Sequence, residues 1–210
     1  MSDALNTLTD EQRDAGWRLL FDGRTPDGWR GYRQPDFPAG WRIVDGTIHR
    51  ADDAPDIITV DQFASFELAL EWKHADRGNS GIIYRVTEDH EASWHTGPEY
   101  QVLNDAAHEG LKPEQLCGAN YDLHAPSEAA AKPEGEWNET RIVVRDRRVE
   151  HWLNGVNVVS YELLSEDWER RVAASKFARF PKYGRNPAGH IALQSHGDPV
   201  WYRNIKLREL

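Results

Sequence analysis

The sequence of 210 residues predicts an all-β fold, a sandwich or barrel. Strand-length apolar or alternating runs recur roughly every 8–12 residues, separated by turn residues. Asp-Gly and Asn-Gly pairs stand between several of these runs, and helical periodicity is confined to short pieces.

In chain order the candidate strands are 17–21, 41–44, 47–50, 57–60, 65–73, 81–86, 99–103, 140–145, 149–153, 156–161, 190–194 and 200–207. Turns are marked by Asp22-Gly23, Asp45-Gly46, Asn154-Gly155 and Gly197-Asp198-Pro199. Val44-Asp45-Gly46-Thr47 and Leu153-Asn154-Gly155-Val156 are two-residue hairpin signals, because Asp-Gly and Asn-Gly accept the positive φ of a type I′ turn. The flanking strands should pair antiparallel. Helix is expected at 9–15, opened by a Thr9/Gln12 capping box, and at 165–174, with Glu166 and Asp167 in the first turn. A single helical turn is expected at 127–131, between Pro126 and Pro133. No internal repeat, low-complexity run or long linker divides the chain, so residues 1–210 read as one domain.

Composition narrows the function. The chain carries 25 basic and 35 acidic residues, a formal net charge of −10, and a pI near 5.4. It has no Lys/Arg-rich run, so nucleic acid and anionic membranes are not expected partners. Mean hydropathy is low at −0.74, yet nine Trp, seven Tyr and six Phe supply the aromatic content that disordered chains lack. An indole serves as a core filler or as a platform for a sugar ring. The single cysteine, Cys117, allows no intramolecular disulfide, which fits a reducing compartment. The N-terminus has no basic stretch followed by an apolar one, and no apolar run approaches the length of a membrane span, so a cytoplasmic protein is expected.

Strand alternation then isolates an unusual face. Ile82, Tyr84 and Val86 oppose Ile83 and Arg85; Tyr100 and Val102 oppose Glu99 and Gln101; Ile191 and Leu193 oppose Gln194 and His196. If the three strands share a sheet, Arg85, Glu99, Gln101, Gln194 and His196 share its outer surface. Three long connections, 104–116, 122–136 and 176–189, are able to wall that surface into a pocket. They carry His108, His124, Lys176, Tyr183 and Arg185. His-Glu-x-x-His, Cys-x-x-Cys, Gly-x-Ser-x-Gly and phosphate-loop patterns are absent. The same-face partners of Glu99 on its strand are Gln101 and Leu103, so no second carboxylate is offered there for two-carboxylate glycoside hydrolysis.

Several blocks together are distinctive: Leu20-Phe-Asp-Gly23 with Gly28-Trp29, Asn79-Ser-Gly-Ile82, Gly97-Pro-Glu-Tyr-Gln101, Gly135-Glu-Trp-Asn138, Trp152-Leu-Asn-Gly155, Ser175-Lys-Phe177, Gly189-His-Ile-Ala-Leu-Gln194, His196-Gly197 and Arg203-Asn-Ile-Lys206. In order and spacing they resemble the 3-keto-disaccharide hydrolase family from about Trp17 to the C-terminus, leaving residues 1–16 as an N-terminal extension. The resemblance implies a concanavalin A-like jelly-roll sandwich of two antiparallel sheets, acting on glycosides oxidised at C3. The chain departs from the family pattern at Ser195 and Asn104, where Asp is expected, and in lacking the leader that relatives often carry.

A keto group at C3 acidifies the C2 proton, so a base can form an enolate that expels the C1 substituent before water adds back. That chemistry needs a base, an oxyanion stabiliser and a leaving-group acid. The expected assignment is Glu99 or His196 as base, Lys176 or Arg85 beside the enolate oxygen, and His124 as acid. Gln101, Gln194 and Asn79 would anchor hydroxyls, with Trp94 as sugar platform. The rival reading is a non-catalytic carbohydrate-binding protein of the same fold. The expected partner is a small carbohydrate. No cofactor is identified, a structural or catalytic divalent metal stays open, and the oligomeric state is not legible.

Overall fold

The computed structural model describes residues 5–210, so the first four residues, on which part of the leader reading rests, lie outside the described residues. The chain runs α1 (Asp10–Asp14), β1 (Arg18–Leu19), β2 (Trp29–Gly31), β3 (Trp41–Val44), β4 (Thr47–Arg50), β5 (Ile57–Thr59), β6 (Phe66–His74), β7 (Asn79–Val86) and β8 (Glu99–Leu103). It continues through β9 (Asn138–Arg145), β10 (Arg148–Leu153), β11 (Val156–Glu162), α2 (Glu166–Ala174), β12 (His190–Leu193) and β13 (Val200–Glu209).

Two antiparallel sheets result. One has the order β11-β10-β9-β6-β13-β4-β3, with β1 also paired to β13; the other has the order β2-β5-β12-β7-β8. Both expected hairpins form. Asp45 and Gly46 have φ of 49° and 72°, and Asn154 and Gly155 have 49° and 84°, the left-handed pairs that a type I′ turn requires.

The alternation read from the sequence places the core. Phe66, Leu68, Leu70 and Trp72 of β6 meet Ile82 and Tyr84 of β7, Tyr100 and Val102 of β8, and Ile191 and Leu193 of β12 between the sheets. Burying each such side chain stabilises the fold by about 1.5–3 kcal/mol, enough in sum to need no cross-link, and Cys117 is a free, buried thiol.

Of the three expected helices, two form. The Thr9 hydroxyl accepts from Gln12 N at 3.2 Å while Gln12 Oε1 accepts from Thr9 N at 3.1 Å, and Ser165 caps α2 by accepting from Trp168 N. Residues 127–131 are irregular instead. The Ser127 N–H goes to Val158 O of β11 at 2.7 Å, and Ala130 O accepts from Asn154 Nδ2, so strand and turn groups take the bonds that a helical turn would make. Strand β2 had no alternation long enough to announce it.

The outer face of the five-stranded sheet is not bare. Tyr32, Ile58, Ile83, Val86 and Ala192 form a second apolar cluster there, with Trp94 packed against it. The polar residues of the same face lie beside this cluster, under loops.

Candidate active site

Strand register brings the polar residues together. Gln194 N donates to Gly81 O at 2.9 Å, Gly81 pairs with Gln101, and Ile83 pairs with Glu99, so the outward side chains of β12, β7 and β8 converge. The edge of β8 is closed by the segment after it: Gly118 N bonds Gln101 O at 2.8 Å and Tyr121 N bonds Glu99 O at 3.0 Å. Ser175 then ends α2 and caps the following turn, accepting from Phe177 N at 3.1 Å, which brings Lys176 over the face.

The result is a cavity of about 180 Å³ lined by Asn79, Trp94, Glu99, Gln101, Tyr121, Lys176, Gln194 and His196. Seven of these were expected from the sequence. Tyr121 was not; it lies in a loop with no periodic signal. Glu99, Gln101 and Gln194 are buried, while Asn79, Trp94 and Tyr121 are partly exposed and His196 is exposed at the rim. A larger cavity of about 630 Å³ lies on the other sheet, between the segment around Thr9 and residues such as Glu71, Arg141 and Trp152. It gathers none of the expected site residues, and the chemistry points to the smaller one.

Electrostatics set the smaller cavity apart. Burial pushes the Glu99 carboxyl up to about 8; Asp56 adds to the rise, while Lys176 and a hydrogen bond from Gln194 oppose it. Lys176 is exposed as a whole residue, but its Nζ lies 4.4 Å from the centroid of Tyr121, 4.7 Å from Trp94 and 5.2 Å from Phe177. Desolvation draws its ammonium down, against the attraction of Glu99. The cation is thus held by ring faces, with no salt bridge to a carboxylate among the described residues. Gln101 Oε1 and Gln194 Oε1 are buried with no hydrogen-bond partner in the protein, which leaves two acceptors available to hydroxyl donors.

Two expected site residues lie elsewhere. Arg85 has φ of 55° at a β-bulge, where Tyr84 and Arg85 together face Ile191. The bulge breaks the alternation, sending Val86 to the outer cluster, while the Arg85 guanidinium donates to Ala64 O and, at 2.7 Å, to Asp146 O in the β9–β10 turn. His124 stacks on Tyr161, contacts Asn120 Nδ2 at 2.9 Å and lies 3.4 Å from Asp167. Burial lowers its pKa to about 4, and it lines a different surface hollow with Arg171. Nor do the remaining loop residues join the cavity: Tyr183 is core, stacked on Phe177; Arg185 pairs with Glu169; His108 contacts Arg77 O.

The two family departures have local roles. Ser195 Oγ accepts from Arg50 Nε at 3.0 Å, and Asn104 Nδ2 donates to Asp76 O. Among the described residues, no three His, Cys, Asp or Glu side chains converge as a ready metal cradle, and no helix is long and apolar enough to cross a membrane.

Comparison with known proteins gives the family and the fold. Residues 16–208 match the model of the 3-keto-alpha-glucoside-1,2-lyase-like domain. The chain is 35% identical over 228 residues to the 3-keto-disaccharide hydrolase of Bacteroides thetaiotaomicron, covering 93% of this chain and 79% of that protein. A crystal structure of a proposed glycosyl hydrolase from Parabacteroides distasonis superposes with a TM-score of 0.92 at 36% identity, covering 99% of this chain and 100% of that one. A carbohydrate-binding module from Bacillus subtilis, with a TM-score of 0.51 and 12% identity, covers 87% of this chain and 96% of that one and shares the fold alone.

Proposed function

The chain belongs to the 3-keto-alpha-glucoside-1,2-lyase-like family, and from that premise we propose that it cleaves the glycosidic bond of 3-keto-glycosides by C2 proton abstraction, elimination and hydration. The observation that carries this reading is Glu99: a buried carboxyl with a pKa near 8, at the base of a cavity that contains no second carboxyl among its lining residues. Displacement by a carboxylate pair requires two such groups, about 5 Å apart in retaining enzymes or roughly 6.5–9.5 Å apart in inverting ones. Elimination requires one base.

The ionised Glu99 carboxylate takes the C2 proton, and the C2–H electron pair moves into the enolate of the C3 ketone. Lys176 is the cation placed to stabilise the enolate oxygen, since Arg85 is engaged at Ala64 and Asp146. The enolate then expels the C1 oxygen as the C1–O bond breaks. His196, at the rim, is assigned to protonate that oxygen, because His124 lies outside the cavity. Water adds to C1 of the resulting enone, its proton passing to His196, and Glu99, after its carboxyl proton has exchanged with solvent, protonates C2, so both groups are restored and the net reaction is hydrolysis. Gln101 and Gln194 accept from ring hydroxyls through their unpartnered oxygens, and Trp94 supplies an apolar wall.

The test is product release from 3-keto-sucrose, 3-keto-trehalose and a 3-keto-glucoside against the same sugars unoxidised. The proposal expects turnover of the 3-keto compounds alone. Binding without product would favour a carbohydrate-binding protein, and equal turnover of unoxidised sugars would remove the keto requirement.

A further inference from the structure

Asp56, immediately before β5, is not among the residues that line the cavity, yet it joins two of its walls. Its Oδ2 accepts from the Ser93 hydroxyl and its Oδ1 from Ser195 N at 2.8 Å. Ser93 opens the turn Ser93–His95 that carries Trp94, and Ser195 precedes His196. Ser93 is fully buried, so its hydroxyl has no solvent alternative. The 195–197 segment is held a second time by Arg50, which donates to Ser195 Oγ at 3.0 Å and to Gly197 O.

The geometry points to Asp56 as a positioning residue that clips the Trp94 wall to the His196 wall and so fixes the width of the cavity above Glu99. This rests on the reading of the cavity as the site of glycoside cleavage, and names a residue that the reading itself does not use. A clip of this kind matters because displacing a reacting group by about 1 Å can slow a reaction about 100-fold.

Its charge also acts on Glu99. The groups facing Glu99 are Lys176 from the turn after α2, Tyr121 from the segment covering β8, Tyr183 from the loop after α2, Tyr202 from β13 and Asp56. Burial raises all three tyrosines, which stay neutral near pH 8. Lys176 favours the Glu99 carboxylate and Asp56 opposes it. Around Asp56 itself lie His196, Tyr32 and Tyr202.

Two variants separate clip from charge. Asp56→Asn keeps an oxygen for Ser195 N–H and an amide for the Ser93 hydroxyl, but removes the charge; Asp56→Ala removes both. The measurements are the pH profile of kcat/KM on a 3-keto-glycoside and the titration of the Glu99 carboxyl by carbon NMR, assigned with Glu99→Gln. Asp56→Asn should move the Glu99 midpoint to lower pH with plateau kcat/KM retained, while Asp56→Ala should lower kcat/KM about 10- to 100-fold. Wild-type kcat/KM in Asp56→Ala would overturn the positioning role, and an unmoved midpoint in Asp56→Asn would overturn the charge coupling. If Asp56→Ala does not fold, Ser93→Ala, which removes the Trp94 arm of the clip, takes its place: kcat/KM should fall about 10-fold, and wild-type kcat/KM would overturn the positioning role. Should the wild type turn over no 3-keto-glycoside while the NMR midpoint still falls in Asp56→Asn, the coupling stands and the proposed reaction fails.

Discussion

The Glu99 side chain crosses the backbone of Gly81 on the neighbouring strand so closely that a Cβ at position 81 would lie 2.8 Å from both Glu99 Cγ and Cδ. The absence of a side chain at Gly81 is therefore what lets the carboxyl lie flat on the sheet. Gly81→Ala must push Glu99 aside, and the displaced group is the end of a flexible chain rather than backbone. Activity should fall about 100-fold with little loss of stability; kcat measured beside Tm checks both halves.

Glu99→Gln should abolish turnover and raise stability at alkaline pH. The folded-state pKa of about 8 exceeds the ordinary value of 4.5. Between those two values the native state holds a proton that the unfolded chain has lost, so wild-type stability declines as pH rises from about 4.5 to about 8. Each unit of difference corresponds to about 1.4 kcal/mol. The glutamine variant lacks this decline, so its Tm advantage should grow over that interval and level off above it. Thermal unfolding from pH 5 to pH 9 is the measurement.

Lys176→Met should lower kcat by about 100- to 1,000-fold, the range seen when one oxyanion stabiliser is removed. It should also move the acidic limb of the kcat/KM profile to higher pH, because Glu99 acts as the carboxylate and Lys176 holds its pKa down. Loss of rate without that move would place Lys176 away from Glu99 in solution.

His124→Gln and Arg85→Met are the contrasting pair. His124→Gln should leave kcat unchanged, since its ring is stacked on Tyr161 outside the cavity. Arg85→Met should leave kcat per folded molecule unchanged but lower Tm, because it strips a donor from the buried carbonyls of Ala64 and Asp146. Activity assays normalised to folded protein distinguish the two effects.

What the sequence disclosed depended on whether local pattern governed the outcome. Asp45-Gly46 and Asn154-Gly155 form the turns they announce because positive φ is a local demand. Glu99, Gln101 and Gln194 stood out because alternation held on β8 and β12, where the apolar partners reach the core. Arg85 was sorted to the wrong surface because one residue at positive φ breaks the two-residue period, and nothing in Tyr84-Arg85-Val86 marks a bulge. Asp56 escaped notice because it lies one residue before an apolar strand, and its partners Ser93 and Ser195 are distant in sequence. His124 was placed by loop length alone, and aromatic packing against Tyr161 and Trp168 set its position.

Removal of the C2 proton is the central step of the proposed reaction, and turnover of a 3-keto-glycoside in D2O reads that event directly. Elimination followed by hydration predicts that the released 3-keto sugar carries deuterium at C2, and that substrate deuterated at C2 reacts more slowly. Release of the sugar with its C2 proton retained and no isotope effect would mean direct displacement at C1, contradicting the mechanism.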